Sequence, residues 1–460
     1  MPHLHLIGAG GIGVSAIGRY YKHLGWTVSG SDSSESEITR DLVREGFDIH
    51  IGHRAENLPE NTELLVHTEG IFIAEAGIAH GGASRLNVEL ALAQSRGIKI
   101  RSYPQALGDI TNSTHQVAVA GSHGKSSTTS LLGVMLANSS IGGSTIVGTK
   151  LQQFGGKNLW IDERSDWFAI EACEYKRHFL EYTPFITVIT NIDVDHLDYY
   201  KDEADYLTAF VSLVQQTKYA VVLSALDAGC VKLFDQLPAS EKQRLKWHWV
   251  TMDEYTEVST GISTSIPHLH LKVPGEHLRL DANLAYTVGA LVGMAHEERI
   301  RGLEAYGGSW RRSEIVGTTI HGNLVMSDYG HHPSELKPTF AAIKQQYPDR
   351  ELVVIFQPHQ AARTRALLAD FAISFVDVDQ VIIPNIYLSR DTEADIAYMT
   401  VDRLVNAILP HQKNVRNAGD ISHAIEIVLQ LDAMNHEKYV FLIQGAGSVD
   451  EIRYAIPVKP

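Results

Sequence analysis

Cysteine is almost missing from this chain: Cys173 and Cys230 are the only two among 460 residues. Two thiols build no disulfide framework, and without a C-x-x-C pair or a His/Cys cluster the sequence offers no zinc site. No apolar run approaches eighteen residues, and the chain opens in a strand instead of the apolar stretch of a signal peptide, so no membrane partner is expected. Positive charge is short as well. Lys and Arg number 39 against 54 Asp and Glu, a net charge of −15. With no basic run and no basic patch interleaved with aromatics, a nucleic-acid partner is not expected either. Anionic ligands must then be met by local Arg, Lys, Mg²⁺ and backbone amides. What remains is a soluble, cytoplasmic expectation. A hydrophobic fraction of 44% supports full cores over a length that suits about three domains.

The most informative stretch present is Val117-Ala118-Val119-Ala120-Gly121-Ser122-His123-Gly124-Lys125-Ser126-Ser127-Thr128. A buried strand runs into a glycine turn, a Lys, a hydroxyl pair and a helix-compatible segment to Ala137. Glycines let backbone N–H groups close around phosphate oxygens, and the helix N-terminus adds its positive end. Lys125 is then expected at the β/γ-phosphates and Ser126 on Mg²⁺. The full eight-residue Walker pattern fails, because it needs Gly where Val119 stands.

A second glycine turn follows the strand His3 to Ile7. Gly8-Ala9-Gly10-Gly11-Ile12-Gly13 matches G-x-G-x-x-G, a helix runs on to about Leu24, and Asp32 ends the next strand. Taken alone, these features suit a nicotinamide dinucleotide domain. With a phosphate loop downstream, one domain can instead hold a diphosphate-bearing substrate and another the ATP.

Strands alternate with helices nearly throughout, which predicts α/β domains with largely parallel sheets. We expect a Rossmann-like domain over 1–112, a central P-loop domain over 113–311 and a second Rossmann-like domain over 312–460. In the central part, a helix is expected from Asp281 to His296, and Ile262 to Val273 alternates like edge strands. Three polar clusters follow strands. Glu171 ends Trp167 to Ile170, and Asn191 to Asp198 follows Ile186 to Thr190. Asp328-Tyr329-Gly330-His331-His332 follows Leu324 to Ser327, with Phe356-Gln357-Pro358-His359 ending another strand. Ligands gather at such strand ends in open α/β sheets.

These residues, in this order, resemble the Mur ligase family, most of all its alanine-adding branch. The likeness includes Gly8 to Ser15, Ser29 to Asp32, Gly121 to Ser126, Glu171, Thr190 to Asp198, Arg311-Arg312, Asp328 to Glu335, Phe356 to His359, Arg363 to Arg365 and Gly445 to Gly447. The short phosphate loop is that family's own form. The resemblance implies an ATP-dependent ligase that forms an acyl phosphate on the lactyl carboxylate of UDP-N-acetylmuramate, which the amine of L-alanine then attacks. It implies ATP at Gly121, Ser122, His123, Gly124, Lys125, Ser126 and Ser127. Ser126 and Glu171 would hold one Mg²⁺ and His196 a second. Arg312 would steady the transferring phosphoryl, and Asp328 would meet the ATP ribose. Gly8, Gly10, Gly11, Gly13, Ser31, Asp32 and Thr68 would take the UDP-sugar. His331, His359, Gln360 and Arg363 would bind the amino acid.

Four places in the chain depart from the family pattern. Asp281 stands at the second Asn of an adenine-side G-x-H-N-x-x-N, and Leu278 follows Gly275-Glu276-His277. Thr68-Glu69-Gly70 replaces Ser-Ser-Ala, Gln360 stands where many alanine-adding members carry Arg, and Cys173 replaces an acid. Cys173 is read as a small core residue. The competing functions are a recycling ligase that joins a whole peptide to the same sugar nucleotide, a nicotinamide-dependent dehydrogenase and a P-loop regulatory switch.

Overall fold

Each glycine turn picked out in the sequence leaves the C-terminal end of an interior strand. A computed structural model describes residues 1–72, 87–195, 199–273, 275–389 and 391–459. Its strands form three sheets, taken up in chain order. The first holds β1 (His3–Ile7), β2 (Thr27–Asp32), β3 (Asp48–Ile51), β4 (Thr62–His67) and β5 (Lys99–Ser102) in the order β3-β2-β1-β4-β5, all parallel. The order reverses at β1, so the loop after Ile7 opens at the switch point where such sheets take ligands.

The second sheet holds β6 (His115–Ala120), β7 (Ser144–Leu151), β8 (Lys157–Trp160), β9 (Trp167–Glu171), β10 (Ile186–Ile189), β11 (Ala220–Ser224), β12 (Lys246–Val250), β13 (Glu254–Glu257) and β14 (Ile262–Ser265). Its order is β14-β13-β12-β11-β10-β6-β9-β7-β8, parallel from β12 to β7 with antiparallel pairs at both edges. Fully buried strands such as β6 and β10 read as unbroken apolar runs because both faces are covered. The third sheet holds β15 (Glu314–Thr319), β16 (Leu324–Asp328), β17 (Glu351–Phe356), β18 (Gln380–Ile383), β19 (Val415–Asn417), β20 (Tyr439–Gln444) and β21 (Val458–Lys459), in the order β19-β18-β17-β20-β16-β15-β21.

Residues 1–271 with 278–307 make one compact unit, and 272–277 with 308–460 a second. In the first unit one apolar core runs through both sheets, from Leu4 and Ile17 to Phe210 and Trp247. Arg19, on the helix Ile12–His23, donates to Asn158 of β8 at 2.7 Å, and Lys150 of β7 pairs with Glu37 and Asp41. The second unit has cores on both faces of its sheet, around Phe356 and Phe375 on one and Phe441 and Ile443 on the other.

Two expectations fail. The alternation from Ile262 ends as strand at Ser265, since Pro267 lacks the N–H a ladder needs. The helix expected from Asp281 to His296 begins earlier, at Glu276, and stops at Leu291; Gly293 at φ +89° breaks it before a new helix, His296–Glu304.

Candidate active site

The phosphate loop takes its shape from two glycines. Gly124 sits at φ +78° as the N-cap of the helix Lys125–Ala137, a conformation side chains rarely adopt. A Cβ there would also stand 2.7 Å from Asp281 Oδ1, so Asp281 lies against the loop. The helix starts at Lys125 itself, which puts its free N–H groups on the loop side.

Side chains from β10 and its following loop brace the turn. Asn191 Oδ1 accepts from His123 N at 2.9 Å while its amide donates to His123 O at 3.0 Å. Thr190 Oγ1 donates to His123 O at 2.5 Å, and Ser122 Oγ donates to Asp193 O at 2.6 Å. Ser122 is thus spent on loop structure. Beside His123 and Asn191 a cleft of about 490 Å³ opens, with Asp227 and Lys232 on its wall.

Lys125 is almost buried and folds back over its own loop. Its Nζ donates to Gly121 O at 2.5 Å and Ser122 O at 2.9 Å, and it lies 2.9 Å from Glu174 Oε2. Burial by itself would favour the neutral amine, but the Glu174 carboxylate outweighs it and holds the ammonium above the usual lysine range. The sequence reading missed Glu174, whose signal was only its place three residues past Glu171.

Ser126 and Glu171 are brought together as expected. Ser126 Oγ donates to Glu171 Oε1 at 3.0 Å, and Glu171 Oε2 accepts from Gly148 N at 2.8 Å. A hydroxyl and a carboxylate at a phosphate loop are the hard oxygen donors that Mg²⁺ takes, with phosphate and water completing its shell. The residues fit the ion. His196, expected at a second ion, lies outside the described residues. Burial, with Glu174 beside it, pushes the Cys173 thiol up to about 12, which disfavours the reactive thiolate.

At the first sheet, Ser31 O accepts from Gly8 N at 2.8 Å and Ala9 N at 3.0 Å, and Gly11 N donates to Gly8 O at 3.0 Å. Asp32 Oδ2 accepts from Gly10 N at 2.8 Å, and its other oxygen faces Ser33 and Ser34. That carboxylate therefore closes its own loop. Thr68 packs on Gly8, and Gly13 lets the half-buried Tyr103 ring come close.

In the second unit the expected residues share one sheet edge, where Asp328, Gln444 and Phe356 stand in register on β16, β20 and β17. Asp328 is buried and saturated: Oδ1 accepts from Gly330 N and Gln444 Nε2, both at 2.8 Å, and Oδ2 from Ser313 N at 2.8 Å. Arg311 is tied to Gly445 O at 2.5 Å, while Arg312 lies over the Tyr329 ring at 5.1 Å. His331 and His359 rings are 5.6 Å apart, and His359 stacks on Tyr387 at 5.3 Å. Burial depresses the His331 imidazole, and nearby Arg363 and Arg312 add to the effect. Gln360 holds φ +70° just before the helix Ala361–Ala366, with its N–H on Tyr387 O at 2.8 Å. Tyr387 was not foreseen.

Comparison with known proteins places this geometry. The descriptions "Mur ligase family, catalytic domain", "Mur ligase middle domain" and "Mur ligase, glutamate ligase domain" match residues 3–115, 119–284 and 311–447. A UDP-N-acetylmuramate–L-alanine ligase of Clostridium kluyveri is 33% identical over 98% of this chain and 96% of its own. One from Caldanaerobacter subterraneus is 34% identical, with the same coverage of both chains. The solved UDP-N-acetylmuramate–alanine ligase of Thermotoga maritima shares the fold at a TM-score of 0.78 and 22% identity, covering 98% of this chain and 97% of that one. A murein peptide ligase of Psychrobacter arcticus reaches a TM-score of 0.66 at 19% identity, covering 98% and 97%. With three matching domains in order and full-length relatives a third identical, this chain belongs to the Mur ligase family.

Proposed function

We propose that this protein is an ATP-dependent ligase that joins L-alanine to the lactyl carboxylate of UDP-N-acetylmuramate, a step of peptidoglycan precursor synthesis in the cytoplasm. Relatives of that printed activity cover nearly the whole chain, and no described helix is long and apolar enough to cross a membrane. The carrying observation is the phosphate loop: a buried lysine, and a Ser126–Glu171 oxygen pair at the mouth of the interior strand β6.

The work divides over three domains, 1–112 for the UDP-sugar, 113–311 for ATP and 312–460 for the amino acid. A carboxylate is a poor electrophile, so its oxygen first takes the γ-phosphoryl of ATP and ADP leaves. The amine nitrogen of alanine then bonds to the carbonyl carbon, phosphate departs from the tetrahedral intermediate, and the ammonium proton passes to solvent. Phosphoryl transfer needs chiefly positioning and charge neutralisation. Loop N–H groups orient the β- and γ-phosphates and Lys125 meets their charge. Ser126 and Glu171 would hold Mg²⁺, which when bound neutralises phosphate charge; His196 stands for a second ion by family likeness. Arg312 steadies the moving phosphoryl group, Asp281 lies on the adenine side, and His331, His359, Gln360 and Arg363 orient alanine. Asp328 serves the ribose side through the loop it fixes.

Phosphate release from ATP and Mg²⁺, measured with and without UDP-N-acetylmuramate and each L-amino acid, tests this reading. Release should need both the sugar nucleotide and L-alanine. Release driven by a peptide instead points to the recycling ligase, and release without either substrate to a nucleotide switch.

A further inference from the structure

One face of the first sheet is not apolar. Residues 3 and 5 of β1 and 27, 29 and 31 of β2 alternate onto it, and they are His, His, Thr, Ser and Ser. Above them Glu89, from the helix Val88–Ser95, is completely buried. His5 Nε2 lies 3.2 Å from Glu89 Oε2, and Ser31 Oγ lies 2.5 Å from the same oxygen. Asn57 Nδ2 at 2.7 Å and Arg54 N at 2.9 Å donate to Oε1. Beyond Ser31 stands His53, its Nδ1 at 2.9 Å from Ser31 Oγ and 3.8 Å from Glu89.

Satisfying Glu89 fixes the protons nearest to it. An ionised carboxylate only accepts, so Ser31 donates to it and must accept from His53 Nδ1–H. His5 donates to the same carboxylate through Nε2, and its Nδ1 lies 2.7 Å from Ser29 Oγ. Ser29 Oγ lies 2.8 Å from His3 Nε2, and His3 Nδ1 lies 2.7 Å from Thr27 Oγ1, which also faces Pro2 O at 3.3 Å. Burial, with His5 beside it, depresses the His3 imidazole. Among the described residues no Lys or Arg side chain pairs with Glu89; its imidazole neighbours are the buried His5 and His53, whose side chain is 26% exposed and so is the one that reaches the surface.

We propose that Glu89 is a positioning residue of the glycine-loop site, which through Ser31 fixes the orientation and positive charge of His53 for a diphosphate-bearing ligand. This rests on the reading of Gly8 to Gly13 as the UDP-sugar site. The backbone of Ser31 holds Gly8 N and Ala9 N, so the same residue ties the loop to the ladder. The Glu89 carboxylate, 3.8 Å away, raises the His53 imidazole above its ordinary range against the opposing effect of burial, and Asp32 at the end of β2 adds to it. Three side-chain donors, His5, Ser31 and Asn57, with His53 close by, outweigh burial at Glu89 and hold it well below the usual carboxylate range. The remaining titratable groups on this layer are Asp48 of β3, which faces His3, His50, 3.3 Å from Asp48, and the buried His67 of β4, whose ring lies against Thr68 O.

Imidazole proton resonances of the whole protein test the pair with no ligand present, His53 being assigned by the peak missing from His53→Gln. In the wild type His53 should titrate above an ordinary histidine. In Glu89→Gln its midpoint should fall by about one pH unit, a tenfold change in proton affinity. Ser31→Ala keeps the carboxylate but cuts the bridge, and should lower the midpoint as well if Glu89→Gln does not fold. Affinity for UDP-N-acetylmuramate should weaken as pH rises through the His53 midpoint, and the break should move down with it in a folded variant. An identical His53 midpoint in wild type and variants overturns the inference, as does a sugar-nucleotide affinity flat across that midpoint. Failure of the wild type to bind the sugar nucleotide at any pH counts against the glycine-loop reading instead, while the resonances still judge the pair.

Discussion

At the scale of single residues, the ATP site makes the sharpest demands. Lys125→Ala and Glu171→Ala should each lower ligation by roughly 10²–10³-fold or more with the melting temperature little changed, if both groups act, as proposed, on charge that moves in phosphoryl transfer. Near-normal turnover by either purified variant would remove the assignment. Gln360 offers the opposite test. If Gln360 stands beside the alanine carboxylate as proposed, its neutral amide forgoes part of a charged hydrogen bond worth about 1.5–3 kcal/mol. Gln360→Arg should therefore lower KM for L-alanine by roughly tenfold, and Arg363→Ala should be far worse than Gln360→Ala. The residue already tolerates φ +70°, so exchanging one long side chain for another adds no backbone strain. Cys173, with its thiol near 12, and the buried Cys230, also pushed up by burial, should both stay unreactive towards a thiol reagent at pH 8 until the protein is unfolded. Glu89 and His53 bias stability in opposite directions. The lowered carboxylate contributes above the ordinary Glu range and loses that contribution as pH falls through its folded value. The raised imidazole contributes below about 6.5 and fades as pH rises through its folded value.

Elements show what a sequence makes visible. The loops after β1 and β6 were legible because glycine positions, a following helix and a preceding apolar strand all report on one turn. Gly8→Ala tests that reading: at φ +77° its Cβ would meet Thr68 Cγ2 at 2.4 Å, so the variant should melt lower and bind the UDP-sugar weakly, by calorimetry. The strands β6, β9, β10 and β16 were legible as apolar runs ending in a functional polar residue. Two short outer strands were not. β3 reads Asp-Ile-His-Ile and is half exposed, and β13 reads Glu-Tyr-Thr-Glu, so neither carries an apolar pattern that separates it from a loop. Glu174 and Glu89 were missed for another reason. Each lies near its partner only through folding: Lys125 is 49 residues from Glu174, and His5 is 84 from Glu89. A lone acid on an ordinary helix or turn carries no sign of the distant group it will face. The ladder of His3, His5, Ser29 and Ser31 was overlooked because alternating polar residues in a strand ordinarily mean a solvent face, and here that face is covered.

At the scale of the whole molecule, the shared core of the first unit changes how ligand binding should be measured. Residues 1–112 bury apolar side chains in the same cluster as the central sheet, so the intact chain is the proper subject. UDP-N-acetylmuramate should raise its melting temperature by mass action, and NADH should not. A rise with NADH alone would revive the dehydrogenase. Residues 1–271 being one unit also explains why composition pointed to about three domains while contacts divide the chain into two bodies. The polar ladder leaves the covered side of the first sheet a thin apolar layer of Ile7, Leu58, Leu65, Leu90 and Ala93, against the broad cluster on its other side. Protection against solvent deuterium follows from that contrast, because a layer with few apolar contacts opens at lower cost than the global unfolding. Amides of β4 and β5 and of the helix Val88–Ser95 should therefore take up deuterium before those of β6 and β10. Binding of the sugar nucleotide should slow them first, which gives the ligand site a time signature separate from catalysis.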